Sequence, residues 1–182
     1  SNHQGIRYFR NAFFFYGIAF ILRYVLAGPN YFALAQPFFE FFLVMGGFFL
    51  LYSLLWKKFK ASKSQSSLLN PILGIFYIIA LVIVFLDYFW TVYYFLFFSQ
   101  IIIFAIASII SCKNYKEKGK EHKFLKLYFI AMILSFLAWS FNFIFASFFK
   151  WRLRFLANVY ILNVIVFLII LYGVIKLTKK RD

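Results

Sequence analysis

The sequence predicts an all-α integral membrane protein with six transmembrane helices. Hydrophobic residues make up 65% of its 182 residues and charged residues 14%, whereas about a quarter of a soluble domain is charged. Six apolar runs follow one another, each long enough to cross a hydrocarbon core of about 30 Å, which takes roughly 20 helical residues. The runs lack the strict alternation of a membrane barrel, and a helix satisfies all its backbone polar groups within one segment.

The apolar runs define the predicted helices and their connections. The helices are placed at 8–27, 31–56, 68–90, 91–112, 124–149 and 154–177. Gly28-Pro29-Asn30 has the composition of a tight turn, whereas Lys57 to Ser67 and Lys113 to Lys123 are basic loops. Gly46-Gly47 predicts a close contact with another helix rather than a hinge. The arrangement predicts three antiparallel hairpins in a single transmembrane domain, 1–182.

Basic residues predict the orientation of the bundle. Most of the twenty Lys and Arg residues lie in the N-terminal segment, the two long loops and the C-terminal segment. These segments fall on one side of a six-helix bundle, and Lys and Arg concentrate on the cytoplasmic side. We therefore expect both termini in the cytoplasm and the chain in the plasma membrane. Apart from Arg10 and Lys126, which fall in the first turn of the helix after one of these segments, the basic residues outside them are Arg23, Lys150, Arg152 and Arg154.

The net charge of +15 indicates membrane lipids as partners rather than nucleic acid, because short loops between apolar runs carry it. Such loops attract anionic headgroups. Lys150, Arg152 and Arg154 fall on the outer side, where we predict contact with lipid headgroups. An anionic ligand or a protein partner is the alternative there, and association with a partner or with further copies of the chain in the membrane stays open.

Glu40 is the carboxylate that lies well within an apolar run, after Gln36-Pro37-Phe38-Phe39. An ionised side chain at such depth costs about 3 kcal/mol or more, so Glu40 must pair, line a wet cavity or stay protonated. Arg23 is its predicted partner, in a pair that opens for a ligand or locks the first hairpin permanently. An Arg23 side chain directed out to the interface is the alternative. Asp87, where the third and fourth runs meet, is expected to be solvated.

The returning helices of the three hairpins indicate an internal repeat of the hairpin. When they are overlaid, Glu40, Gln100 and Asn163 take corresponding positions at a similar distance from the outer face. Three polar side chains would then converge on one level of the bundle. A chance alignment is the alternative, because apolar sequence of low complexity inflates self-similarity.

The fifth run carries a stripe of small and polar residues at helical spacing. One face holds Ala131, Ser135, Trp139, Asn142 and Ala146, since spacings of three and four bring residues together. The stripe indicates either a wall of a ligand cavity or a helix contact through small residues. Trp139 and Asn142 are the candidates for ligand contact, because they offer a ring face and an amide.

Patterns typical of catalysis are sparse. The two histidines, His3 and His122, and the single cysteine, Cys112, have no metal-ligand spacing to one another or to a carboxylate. No nucleophile, base and orienting group can be assembled, and no Gly-rich phosphate loop is present. We therefore expect no enzyme activity, no metal and no cofactor.

The polar residues in the apolar runs predict binding or transport of a small solute or ion through a site in the outer half of the bundle. The candidate ligand-binding residues are Glu40, Arg23, Gln100, Trp139, Asn142 and Asn163. The alternative function is a membrane sensor or regulatory domain, or a structural subunit of a larger membrane complex. Dependence of solute uptake on Glu40 would favour transport, and a soluble output domain in a longer gene would favour sensing.

Overall fold

The computed structural model describes residues 3–25, 32–61, 71–90, 93–118 and 123–149, and also residues 165, 166, 168, 169 and 172. Five helices account for the long described segments: α1 (His3–Val25), α2 (Phe32–Ala61), α3 (Pro71–Trp90), α4 (Tyr94–Lys118) and α5 (Lys123–Phe149). The prediction of an all-helical fold is confirmed for the part of the chain that the structure describes. The predicted sixth helix at 154–177 lies mostly outside the described residues, and its isolated described residues are helical.

Four of the described helices are long and apolar enough to cross a membrane. These spans are Ala35–Leu55, Pro71–Trp90, Tyr94–Glu117 and Leu125–Phe148. The span predicted at 8–27 is not among them, because α1 carries Arg7, Arg10 and Arg23 along its length. The described residues therefore show five helices with four candidate spans, where six spans were predicted.

Helix ends differ from the prediction mainly at the basic segments. α2 continues to Ala61 and α4 to Lys118, so both extend into residues predicted as loops. Basic side chains are favourable near a helix carboxyl end, where the backbone dipole is negative. In α4, Lys113 Nζ lies 3.8 Å from Glu117 Oε1, one helical turn away.

The chain divides into two compact units, Ser1–Ser99 and Gln100–Asp182, with the boundary inside α4. The single transmembrane domain stays a prediction.

In the first unit, α1 and α2 pack antiparallel through aromatic rings. Tyr8 meets Tyr52 edge to face at 4.6 Å between centroids, and Phe15 stacks on Phe49 at 5.0 Å. A methyl group added at Gly46 would lie 3.1 Å from the Tyr16 ring. The close helix contact predicted at the glycine pair is confirmed at Gly46.

α3 packs on α2 along one narrow face. The Phe76 ring stacks on Phe48 with centroids 4.7 Å apart and planes 6° from parallel. Ala80 and Asp87 are the buried residues of this helix and lie two turns apart on the same side. The remaining surface of α3 is largely exposed and apolar.

In the second unit, the end of α4 meets the start of α5. The rings of Tyr115 and Phe129 stack, 6.1 Å apart between centroids and 9° from parallel. Each helix buries one stripe at a spacing of three and four residues, which is typical of a packed helix face. The α4 stripe is Gln100, Ile103, Phe104, Ala107 and Ser111, and the α5 stripe is Tyr128, Ala131, Met132, Ser135, Ala138 and Asn142.

Candidate functional site

Glu40 is buried in the first unit, with only 2% of its surface exposed. The Gln36 amide Nε2 donates a hydrogen bond of 2.7 Å to Glu40 Oε1. The two residues are four apart in α2, so they lie on the same helix face. Gln36 therefore satisfies part of the hydrogen-bonding capacity of this carboxylate, but as a neutral amide it supplies no formal charge.

Asp87 is equally buried, at 2% exposed, and holds the start of α4. Its Oδ1 accepts a hydrogen bond of 3.0 Å from the Phe95 backbone N–H, and its Oδ2 accepts one of 2.7 Å from the Leu96 N–H. The expectation that Asp87 is solvated is wrong. The carboxylate instead caps two amides at the positive end of α4, which have no partner within their own helix.

Tyr93 occupies the N-cap position of α4, since its carbonyl accepts a bond of 3.1 Å from the Phe97 N–H. Burial raises the pKa of the Tyr93 phenol, the Glu40 carboxylate adds to the rise, Arg23 opposes it and Asp87 adds a smaller increase. The phenol is therefore protonated at neutral pH, and its hydroxyl is a neutral donor and acceptor. Tyr93 therefore lies within electrostatic range of Glu40, Arg23 and Asp87.

The Arg23 guanidinium lies over the aromatic ring of Phe39, the residue that precedes Glu40 in the sequence. The guanidinium carbon is 4.8 Å from the centroid of the Phe39 ring, a distance typical of a cation–π contact. The Arg23–Glu40 pair itself stays a prediction. We call Gln36, Glu40, Asp87 and Tyr93, together with Arg23 on Phe39, the acidic cluster.

The other predicted site residues fall in the second unit. Gln100 and Asn142 are buried, and Trp139 is half-buried. Neither amide atom of Gln100 has a hydrogen-bond partner among the described residues. Asn163 and the predicted headgroup residues Lys150, Arg152 and Arg154 lie outside the described residues, so the three-way alignment of Glu40, Gln100 and Asn163 is untested.

Sequence reasoning missed Gln36, Asp87 and Tyr93 as members of a site. The spacing of four between Gln36 and Glu40 was a signal for a bond on one helix face. For Asp87 the signal was indirect: α4 begins after Tyr93, which has no side-chain oxygen suited to capping its own helix. An acceptor for the first amides had to come from elsewhere, and Asp87 is the nearest preceding carboxylate.

The chemistry available to the acidic cluster is binding of positive charge. Among the described residues, no group of three or more His, Cys, Asp or Glu side chains could hold a metal ion. Two carboxylates, an amide and a phenol are oxygen-rich and suit a proton, a monovalent cation or an organic ammonium group. Comparison with protein-family models, curated protein sequences and solved structures finds no match to this chain.

Proposed function

We propose that this is a membrane protein that binds a small cation or a proton at Glu40 and carries it across the bilayer. The observation behind the proposal is the burial of two carboxylates, Glu40 and Asp87, at one end of an apolar helical bundle. Charged groups in such surroundings are costly and mark ion and proton pathways in membrane proteins.

The two carboxylates differ in how well their charge is balanced. Asp87 accepts two backbone N–H bonds at the positive end of α4, so the helix stabilises its negative charge. Glu40 receives a bond from the neutral Gln36 amide, which supplies no counter-charge. An ionised Glu40 therefore needs a cation, and Glu40 is the group of the acidic cluster that we assign to the ligand.

Arg23 supplies the counter-charge in the absence of a ligand. Its guanidinium lies over the Phe39 ring, beside Glu40 in sequence, and acts electrostatically on the same phenol as Glu40 does. We expect Arg23 to neutralise Glu40 in the empty site and to give up that role when a cation or proton occupies it. The Phe39 ring remains a favourable contact for the guanidinium in both states, so the exchange costs little.

A sensor domain or a structural subunit is the second candidate, and α3 is the feature that favours it. Its exposed apolar side chains cover most of the helix surface and must contact lipid or a further helix. They include Ile75, Ile78, Leu81, Val82, Phe85 and Phe89. A partner helix on this surface would make the chain part of a larger assembly.

The test is reconstitution of purified protein into liposomes that contain a pH-sensitive dye, with an imposed membrane potential. Wild type is compared with Glu40→Gln and with Glu117→Gln, which makes the same chemical change at an exposed carboxylate. We expect proton flux in wild type and Glu117→Gln, and flux reduced to the protein-free level in Glu40→Gln. Equal flux in all three proteins would contradict a role for Glu40.

A second measurement covers cations other than the proton. Thermal unfolding in detergent is recorded with sodium, potassium or tetramethylammonium chloride at constant ionic strength. Stabilisation of wild type by one of these salts, absent in Glu40→Gln, would identify the class of cation. Absence of both flux and stabilisation in wild type would reject the carrier proposal and favour the sensor or structural subunit.

A further inference from the structure

α4 carries buried polar side chains that the acidic cluster does not use. Gln100 is 0% exposed, and neither its amide nitrogen nor its amide oxygen has a hydrogen-bond partner among the described residues. The hydroxyls of Ser108 and Ser111 are also buried without a partner in that part of the chain. A buried polar group without a hydrogen bond costs about 1–3 kcal/mol, so these groups must bond to something else.

Other helical serines of the protein do have a hydrogen-bond partner for their hydroxyl. Ser135 donates to the Ala131 carbonyl at 2.9 Å, and Ser140 donates to Phe136 at 2.9 Å. Such bonds to the preceding turn are the usual way in which a helix satisfies a serine hydroxyl. Ser108 and Ser111 do not form them, so their hydroxyls are available to a ligand.

α5 carries polar side chains on its own buried face. Ser135 and Asn142 lie seven residues apart, which is two helical turns and therefore the same side. The Ser135 hydroxyl donates to its own helix, and its oxygen can still accept a bond from another group.

The stacked Tyr115 and Phe129 rings place the end of α4 beside the start of α5, and we take the two helices to run antiparallel from that contact. At 1.5 Å per residue, Ser108 lies about 10 Å along α4 from Tyr115, and Ser135 lies about 9 Å along α5 from Phe129. By the same rise, Gln100 lies about 22 Å from its ring and Asn142 about 20 Å. The polar residues of the two helices therefore share two depths.

We propose that α4 and α5 face each other across a hydrated polar track. Gln100 and Asn142 form one level, Ser108 and Ser135 form the next, and Ser111 continues toward the Tyr115 end. Water molecules occupy the track, because buried water typically bonds to polar groups that lack a protein partner. The track admits water and small uncharged polar solutes to Gln100 from the end of the bundle that carries Tyr115, and it does not depend on Glu40.

Cysteine reactivity tests whether the track holds water. Single cysteines replace Gln100 or Ser108 in a Cys112→Ala background, and the matched controls are Ile102→Cys and Ile109→Cys, which lie at the same depths on exposed apolar positions. Methyl methanethiosulfonate, a small uncharged reagent that the track would admit, reacts with the thiolate, which forms in water and not in lipid. We expect cysteines at 100 and 108 to react at least about tenfold faster than their controls. Rates equal to the controls would overturn the hydrated track.

Cross-linking tests whether the two helices face each other. Ser108→Cys combined with Ser135→Cys is treated, in the Cys112→Ala background, with a short bifunctional methanethiosulfonate, which joins thiols that a water-filled gap separates. The control pair is Ile109→Cys with Leu137→Cys, both exposed. A direct disulfide requires Cβ atoms roughly 3.5–4.5 Å apart, which leaves no room for water, so we expect the reagent and not simple oxidation to link the first pair, and neither to link the control pair. No cross-link in the first pair would reject the facing arrangement. Repeating the reactivity measurement in Glu40→Gln should give unchanged rates, which separates failure of the track from failure of the Glu40 proposal.

Discussion

Asp87 in α3 caps the first turn of α4 through Leu96, whose backbone N–H lies 2.7 Å from the Asp87 carboxylate. The other carboxylate oxygen bonds the Phe95 N–H at 3.0 Å. One side chain thus joins two consecutive apolar helices across a short connection that carries no charged residue. The cap also fixes Tyr93, the residue before α4, whose phenol lies within electrostatic range of Glu40, so Asp87 is a positioning residue for the acidic cluster.

Asp87→Ala is expected to lower the stability of the protein in detergent. Loss of a helix cap costs about 0.5–2 kcal/mol, and leaving buried amides without acceptors adds to that cost. Asp87→Asn keeps one acceptor oxygen and should lie between Ala and wild type. Thermal unfolding measures the effect, with Glu117→Ala as the exposed-carboxylate control, expected within about 0.5 kcal/mol of wild type. An Asp87→Ala variant as stable as this control would mean that the cap is not needed.

The Gln36–Glu40 hydrogen bond predicts strong coupling between the two side chains. Gln36→Leu alone removes the donor and leaves a buried carboxylate short of a partner, at a cost of about 1–3 kcal/mol. Glu40→Leu alone leaves the Gln36 amide without its acceptor. Replacement of both by leucine removes the polar pair together and should be closer to wild type than the sum of the single changes.

The coupling is measured by a double-mutant cycle. The free energy of unfolding is determined in one detergent for wild type, the two single leucine variants and the double variant. Phe38→Leu, at an exposed position between the two residues, is the control for changes on the same turn. Additive effects of Gln36→Leu and Glu40→Leu would contradict the coupling. The double variant should also lose proton flux while staying folded, which separates the stability of the pair from its proposed function.

The contact of Arg23 with Phe39 predicts a second measurable coupling. Arg23→Met keeps the length of the side chain without its charge, and Phe39→Leu removes the ring. Their double-mutant cycle should give about 0.5–2 kcal/mol, the range of a cation–π contact. Arg10→Met combined with Phe39→Leu is the control, because Arg10 lies thirteen residues before Arg23, about 20 Å along α1, and distant changes are additive.

The same Arg23→Met variant tests the pair predicted from the sequence. Combined with Glu40→Gln, it should show coupling if the guanidinium neutralises Glu40 in the empty site. Coupling to Phe39 without coupling to Glu40 would leave Arg23 as a structural contact of the first hairpin. The counter-charge of Glu40 would then have to be a bound proton or cation.

Hydropathy along the chain and the adjacent pair Gly46-Gly47 were enough to predict much of the fold. The all-helical class, the approximate positions of the first five helices and the close contact at Gly46 follow from the length of apolar runs and from the absence of a side chain at glycine. The burial of Glu40 also followed from its place within an apolar run. These properties are local, so they can be read along the chain.

The parts of the site that depend on a neighbouring helix could not be predicted in this way. Asp87 lies at the end of an apolar run, where a carboxylate commonly meets water, and only the start of α4 folded against it removes that exposure. The aromatic partners of Arg23 and Gly46 also come from another helix. Periodicity identifies the buried face of a helix but not the residue that will meet it.

Gly46→Val is expected to weaken the α1–α2 contact. A Cβ atom at Gly46 would already lie 3.1 Å from the Tyr16 ring, so the two further methyl groups of valine force the helices apart, at about 1–3 kcal/mol for overpacking. Gly17→Val is the matched control, because nothing lies within 4 Å of a Cβ there and the rotamer restriction of valine in a helix applies to both variants. Thermal unfolding in detergent should show a lower midpoint for Gly46→Val and a midpoint equal to or above wild type for Gly17→Val. Equal midpoints for the two variants would mean that α1 and α2 do not pack closely at Gly46.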